Sequence, residues 1–366
     1  MSRILTMTCA ALSICGTMGY ATGSYAERVC HPTLDKGALE EEVFISTNGG
    51  AFTDALDKAF FTPFGAECGV KVTVMKSPSR TFQQLRQYVA SEFVPFDVGS
   101  SFGEMEYVMG MREGLFHQLP EGFWDGKKEF MNEGSYSDYG VWGGPYSTVM
   151  FYSKERFPDG LKNWADFWDV KRYPGPRTLQ DHPVNIVIAL LASGVDVKDI
   201  YPIDDTKLDI AFAKLDELRP HIRTFWKAGD QPVQGVANGE FVAGSAWNGR
   251  VNTGIAQGYP LEVAWDGNIL NRHWFFIMKH ARNTKAAEAL LYFMQDADLQ
   301  ANFAKIIGYG GSRNDLASLL EPALMSALPT SPEHLATGTI MDGDWWADNQ
   351  AKISEQWSAW VATGSR

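Results

Sequence analysis

The chain is poor in the groups that make an enzyme. Its seven histidines, His31, His117, His182, His221, His273, His280 and His334, are scattered without metal-ligand spacing. There is no Gly-x-Ser-x-Gly elbow, no His-Glu-x-x-His helix and no phosphate loop, which removes the common serine hydrolases, zinc proteases and P-loop nucleotide hydrolases. Acidic pairs such as Glu104 and Glu106 occur, but 44 acidic residues produce them by chance. Nothing in the sequence asks for a metal or a cofactor. Long apolar runs are also missing: beyond residue 26 none approaches the roughly 18 residues of a membrane-spanning helix. Basic tracts are absent too. The 32 Lys and Arg stand against 44 Asp and Glu, a net charge of −12, so nucleic acid is not an expected partner.

What is present begins with a leader. Met1-Ser2-Arg3 carries one positive charge, Ile4 to Tyr20 is apolar, and Ser24-Tyr25-Ala26 is a small-residue end. That order predicts a signal peptide over residues 1–26, cleaved before Glu27, and export to the periplasm. Cysteine is scarce: Cys9 and Cys15 lie in the leader, and Ile14 before Cys15 is too bulky for a lipoprotein signal. Cys30 and Cys68 remain. An even pair in an exported chain reads as a disulfide, with two separate thiols as the other reading. Residues 27–366 exceed one compact domain and suit two lobes. Exported chains of this size are commonly binding proteins or hydrolases.

Strand-like and helix-like stretches alternate. Glu42–Ser46, Val70–Val74 and Phe96–Gly99 read as strands, with helices over Ala51–Phe64 and Thr81–Ser91 between them. This rhythm predicts α/β lobes, each a doubly wound sheet flanked by helices. Further helices are expected at Asn163–Trp168, Val184–Ser193, Thr206–Arg219 and Ala286–Phe303, and strands at Gly239–Trp247 and Trp274–Met278.

Candidate binding residues gather beside glycine turns at predicted strand ends, where open α/β sheets hold their ligands. Asn48 and Gly49 follow the first strand, and Ser79 and Arg80 open the second crossover helix. Trp247-Asn248-Gly249-Arg250 follows a later strand, and Tyr309 sits among Gly308, Gly310 and Gly311. Each has a plainer reading: Trp247 and Trp274 as core, Arg250 and Arg80 as solvated surface.

The order of these segments resembles a known family. Thr47-Asn48-Gly49-Gly50, Phe96-Asp97-Val98, Gly114-Leu115-Phe116, Asn163 to Trp168, Gly239-Glu240 to Trp247, and Lys285 to Ile307-Gly308-Tyr309 look like the solute-binding proteins of ABC importers. The likeness is to the spermidine/putrescine-binding branch and its γ-aminobutyrate-binding relatives. It implies a two-lobed periplasmic-binding fold of type II with two hinge crossings, near Gly144–Thr148 and Asn271–Phe275. Lobe 1 would comprise residues 27–145 plus 272–366, and lobe 2 residues 146–271. It also implies a small-molecule ligand held between closing lobes, a monomer, and delivery to a membrane permease; no enzymatic activity is implied. Polyamine binders carry carboxylates shortly after the second-lobe Trp and before the last crossing. Here those positions read Arg250 and Arg272-His273-Trp274, with Asp181 as one remaining acid. An arginine in a dry cleft suits a carboxylate, which it grips bidentately. The expected ligand is therefore a small carboxylate-bearing solute, an amino acid or zwitterion such as a γ-aminobutyrate-like compound. Arg250 would be its clamp, and Trp247, Trp274 and Tyr309 would pack its body. A polyamine or other organic cation, held by Asp181 and aromatic rings, is the alternative.

Overall fold

A computed structural model describes residues 28–47, 49–76 and 81–364. The expected leader and the candidates Asn48, Ser79 and Arg80 lie outside the described residues.

Two six-stranded sheets organise the chain. In the first, β1 (Glu42–Thr47) pairs in parallel with β2 (Lys71–Lys76) on one side and β3 (Val98–Gly103) on the other. β4 (Tyr136–Ser137) and β5 (Gly140–Trp142) form its far edge, and β11 (His273–Ile277) fills the gap antiparallel to both β3 and β5. Val43, Ile45, Phe275 and Ile277 point from this sheet into a core closed by Phe60, Phe64, Leu290 and Phe293. The second sheet is built on β6 (Tyr146–Ser153), with β7 (Arg177–Gln180), β8 (Ile222–Trp226) and β9 (Ala243–Trp247) on one flank. On the other flank lie β10 (Leu261–Asn271) and β12 (Thr339–Ile340). Trp164, Phe167, Ile186 to Leu190 and Leu215 form its core. The α/β expectation holds in both lobes, because near-continuous apolar strands need helices on their faces.

Local signals explain several boundaries. Asn163 caps the helix Trp164–Trp168 by accepting a hydrogen bond from the Asp166 N–H at 3.1 Å. The single helix expected over Ala286–Phe303 is two helices, Thr284–Phe293 and Ala297–Ile307. Asp296, in extended conformation, breaks them and forms an ion pair with Lys127. The Cys30–Cys68 disulfide is formed, with Cα atoms 5.8 Å apart, and ties the amino-terminal segment to the end of the helix Thr62–Cys68.

The two crossings run side by side. Gly143–Pro145 joins β5 to β6, and Arg272 alone joins β10 to β11. Trp142 sits opposite Trp274 in the first sheet, and Tyr146 opposite Asn271 in the second, so the hinge is a pair of strands passing between lobes. A third crossing was not expected. After the first-lobe cluster around Leu316 and Leu328, the chain returns to the second lobe: β12 pairs with β10, and the helix Gly343–Thr363 follows. The expected lobe 1 boundary of 272–366 is therefore corrected, since residues 339–364 belong with lobe 2. The reason is apolar spacing: Trp346, Ile353, Trp357 and Trp360 fall on one helical face and are buried in the second-lobe core.

Candidate functional site

A cavity of about 400 Å³ opens between the lobes. Its first-lobe wall is Gly103 to Glu106, where β3 ends and the helix Glu104–Arg112 starts. The second-lobe wall is Thr148, Gln180 and Trp247, at or near the ends of β7 and β9, with His182 and Val184 beyond β7. Tyr146, Asn271 and Arg272 line it from the hinge, and Met341, Trp346 and Gln350 from the carboxy-terminal segment. The cavity thus lies outside the carboxyl ends of strands from both sheets, the usual ligand position in α/β folds.

An aromatic group spans the cleft. Tyr146 stacks on Tyr309 with ring centres 5.6 Å apart and meets Trp247 edge-on at 5.8 Å. Tyr309 also meets Phe52 of the first lobe at 6.0 Å, and Trp247 meets Trp226 at 5.4 Å. Gly249 is required here, because a Cβ at that position would run into the Tyr309 ring. Burial raises the Tyr309 phenol to about 12, against a lowering pull from Arg250.

Charges are distributed unevenly along this wall. Arg272 pairs with Glu104 at 2.8 Å, and the Trp274 indole N–H donates to the same carboxylate at 2.6 Å. Burial pushes the Glu104 carboxyl up, while Arg272 and Trp274 pull it down. Arg250 faces only the exposed Asp230, at 3.3 Å, and its buried Nε has no hydrogen-bond acceptor among the described residues. Glu106 sits at the start of the same helix as Glu104; backbone N–H groups of Gly103 and Glu106 donate to it, and burial is the largest effect, raising its carboxyl. The Nδ1 of His182 accepts the Val184 N–H at 3.1 Å, which leaves Nε2 to carry the ring proton.

The expected site residues separate accordingly. Trp247 lines the cavity, Tyr309 stacks on cavity-lining Tyr146, and Arg250 stands behind Trp247 against Gly229. Gly49, with φ of +76°, precedes the helix Gly50–Leu56 and is not on the cavity wall. Two candidates are corrected. Trp274 is core: its ring stacks on Tyr107 at 3.9 Å, and it reaches the site only through Glu104. Asp181 is bound elsewhere, accepting from the Trp357 indole at 3.1 Å and pairing with Lys227 at 3.3 Å. Sequence reasoning missed Glu104, Glu106, Tyr146, Gln180 and His182. Position alone could have found them, since Gln180 and His182 lie at the end of β7 and the two glutamates follow Gly103 at the end of β3; the sequence reading places no strand at β7 and ends β3 at Gly99.

A cleft between two hinged lobes, lined by aromatic rings and opposed charges, is the architecture of a solute receptor. Comparison with known proteins gives the family. Residues 59–336 match the bacterial extracellular solute-binding protein family. The gamma-aminobutyric acid-binding protein of Pseudomonas aeruginosa is 31% identical over 328 residues, 89% of this chain and 92% of that protein. An ABC transporter substrate-binding protein from Bradyrhizobium japonicum USDA 110 superposes with a TM-score of 0.81 at 29% identity, covering 88% of this chain and 100% of that one. A structure titled as the Atu4243-GABA receptor gives 0.79 at 29% identity, covering 88% and 98%. MotA from A. tumefaciens B6 in complex with glucopine gives 0.77 at 27%, covering 86% and 98%. The chain belongs to the bacterial extracellular solute-binding protein family. Its members are receptors that hand small molecules to membrane permeases, in the periplasm or outside the cell. No helix among the described residues is long and apolar enough to cross a membrane.

Proposed function

We propose that this protein is the monomeric periplasmic receptor of an ABC importer for a small carboxylate-bearing solute, a γ-aminobutyrate-like amino acid. Residues 1–26 act as its cleaved leader. One lobe comprises residues 28–145 and 272 to about 330, and the other comprises residues 146–271 with 339–364. The observation that carries the reading is Arg250. Its Nε is buried without an acceptor beside Trp247 and Tyr309, and its one carboxylate neighbour, Asp230, is exposed and 3.3 Å away. A buried guanidinium donor left open is costly unless a partner arrives, and a ligand carboxylate supplies one. Trp247, Tyr146 and Tyr309 would pack the ligand body, with Asn48, Ser79 and Arg80 as polar contacts from the other lobe. The ligand would bridge both lobes and shift an open–closed equilibrium that the permease reads. The names of two relatives, both speaking of γ-aminobutyrate, support this ligand class.

The polyamine branch is not favoured. Its remaining acid, Asp181, is already engaged by Trp357 and Lys227. Calorimetry with 4-aminobutyrate on the mature protein and on Arg250→Ala tests the reading. The expected result is loss of at least about 100-fold in affinity with the unfolding temperature of the free protein unchanged. Unchanged affinity in Arg250→Ala removes the carboxylate clamp, and binding of putrescine in place of 4-aminobutyrate restores the cation.

A further inference from the structure

Two glutamates stand at the first-lobe edge of the cleft, and only one of them has a cationic partner among the described residues. Glu104 is neutralised by Arg272 at 2.8 Å and by the Trp274 indole at 2.6 Å. Glu106, two residues on, lines the same cavity as Tyr146 and Trp247, yet its hydrogen bonds come from backbone N–H groups of Gly103 and Glu106. It also borders a neighbouring cavity with Arg86, but that guanidinium is held by both oxygens of Glu113, at 2.6 and 2.7 Å. No described cation is partner to Glu106. A half-buried carboxylate that lines a cavity without a counter-charge favours the entry of a cation.

We propose that Glu106 receives the ammonium end of the solute, so that the site selects a short zwitterion over a plain carboxylate. The inference rests on the carboxylate reading given above and adds its opposite pole. Tyr146, which lines the cavity with Glu106, stacks on Tyr309 at 5.6 Å, and Tyr309 packs against Gly249 beside Arg250. A solute with a few methylenes between ammonium and carboxylate can lie across the rings with one charge at each end. The faces of Tyr146 and Trp247 add cation–π attraction at the ammonium end. A diamine fits worse, because its second cation would meet Arg250; a monocarboxylate leaves Glu106 unpaired.

Calorimetry with three probes of similar size decides the matter: 4-aminobutyrate, 4-hydroxybutyrate and butyrate. The wild-type protein should bind 4-aminobutyrate at least about 100-fold more tightly than either neutral-ended analogue. Glu106→Gln keeps the backbone hydrogen bonds and loses the charge. It should forfeit that factor for 4-aminobutyrate and leave butyrate binding unchanged. Equal wild-type affinity for 4-aminobutyrate and butyrate overturns the role of Glu106 while the carboxylate reading stands, and this arm needs no variant. Full 4-aminobutyrate affinity in Glu106→Gln overturns it in the same way, as does equal loss of both ligands, which would make Glu106 structural. A wild-type protein that binds none of the three removes the underlying reading, and the inference with it.

Discussion

Glu288 shows how a buried acid can hold two parts of a lobe together. Its carboxylate meets His31 at 3.0 Å and His117 at 2.8 Å, and the Nδ1 of His31 accepts the N–H groups of Thr33 and Leu34. That arrangement leaves the His31 Nε2–H to donate to Glu288. Burial pushes the Glu288 carboxyl up, but the bonds from His117 and His31 outweigh it and hold it at about 2. A depressed carboxylate stabilises the fold above its unfolded value, and this stability is lost as pH falls toward 2. His273, lowered by burial to about 4, acts over a different window. The unfolded chain protonates it first, so stability already declines as pH falls from about 6.5 to 4. Urea unfolding across pH should therefore show two acid windows. Glu288→Gln should remove the lower one and leave the upper; persistence of the lower window in that variant would assign it to other acids.

At the scale of elements, the carboxy-terminal helix is a strap between lobes. One face buries Trp346, Ile353, Trp357 and Trp360 in the second lobe, and Trp360 also donates its indole N–H to Asp216 at 2.7 Å. Another face meets the first lobe, where Gly343 lies against Glu104 and Val108 and Arg112 pairs with Asp344 and Asp348. These ion pairs are exposed and contribute little, so the tryptophans carry the stability. Trp360→Ala should cost about 3–5 kcal/mol, read from the urea midpoint, against little change for Arg112→Ala. The disulfide works on the other lobe. In the chain-entropy model, replacing Cys30 and Cys68 by Ser should lower stability by about 3–4 kcal/mol, and a reducing agent should reproduce that loss in the wild type.

For the whole molecule, three crossings between lobes mean that closure must bend the paired strands at Gly143–Pro145 and Arg272 while the carboxy-terminal helix slides or tilts. Arg272 belongs to this hinge as well as to the cavity, through Glu104 of lobe 1 and a contact with the Met341 carbonyl at 3.4 Å. A ligand that binds only the folded protein adds about 2.7 kcal/mol of stability at 100 times its dissociation constant. In a thermal unfolding panel of amino acids, organic acids and polyamines, the mature protein should be stabilised by short ω-amino acids and not by putrescine. The reverse order would return the ligand to the polyamine class.

The sequence by itself determined the strand–helix alternation and the α/β lobes. These depend on local periodicity and on turn residues, which are written within a dozen positions. Only the tertiary structure decided that Trp274 stacks on Tyr107 and that Asp181 turns to Trp357 and Lys227. It alone decided that residues 339–364 return to the second lobe and that Glu106 lines the cleft without a cationic partner among the described residues. Side-chain partnership joins residues far apart in the chain: Glu104 and Arg272, or Asp181 and Trp357, meet only after both lobes are packed. An acid or a tryptophan reads the same in sequence whether its partner is core, solvent or ligand.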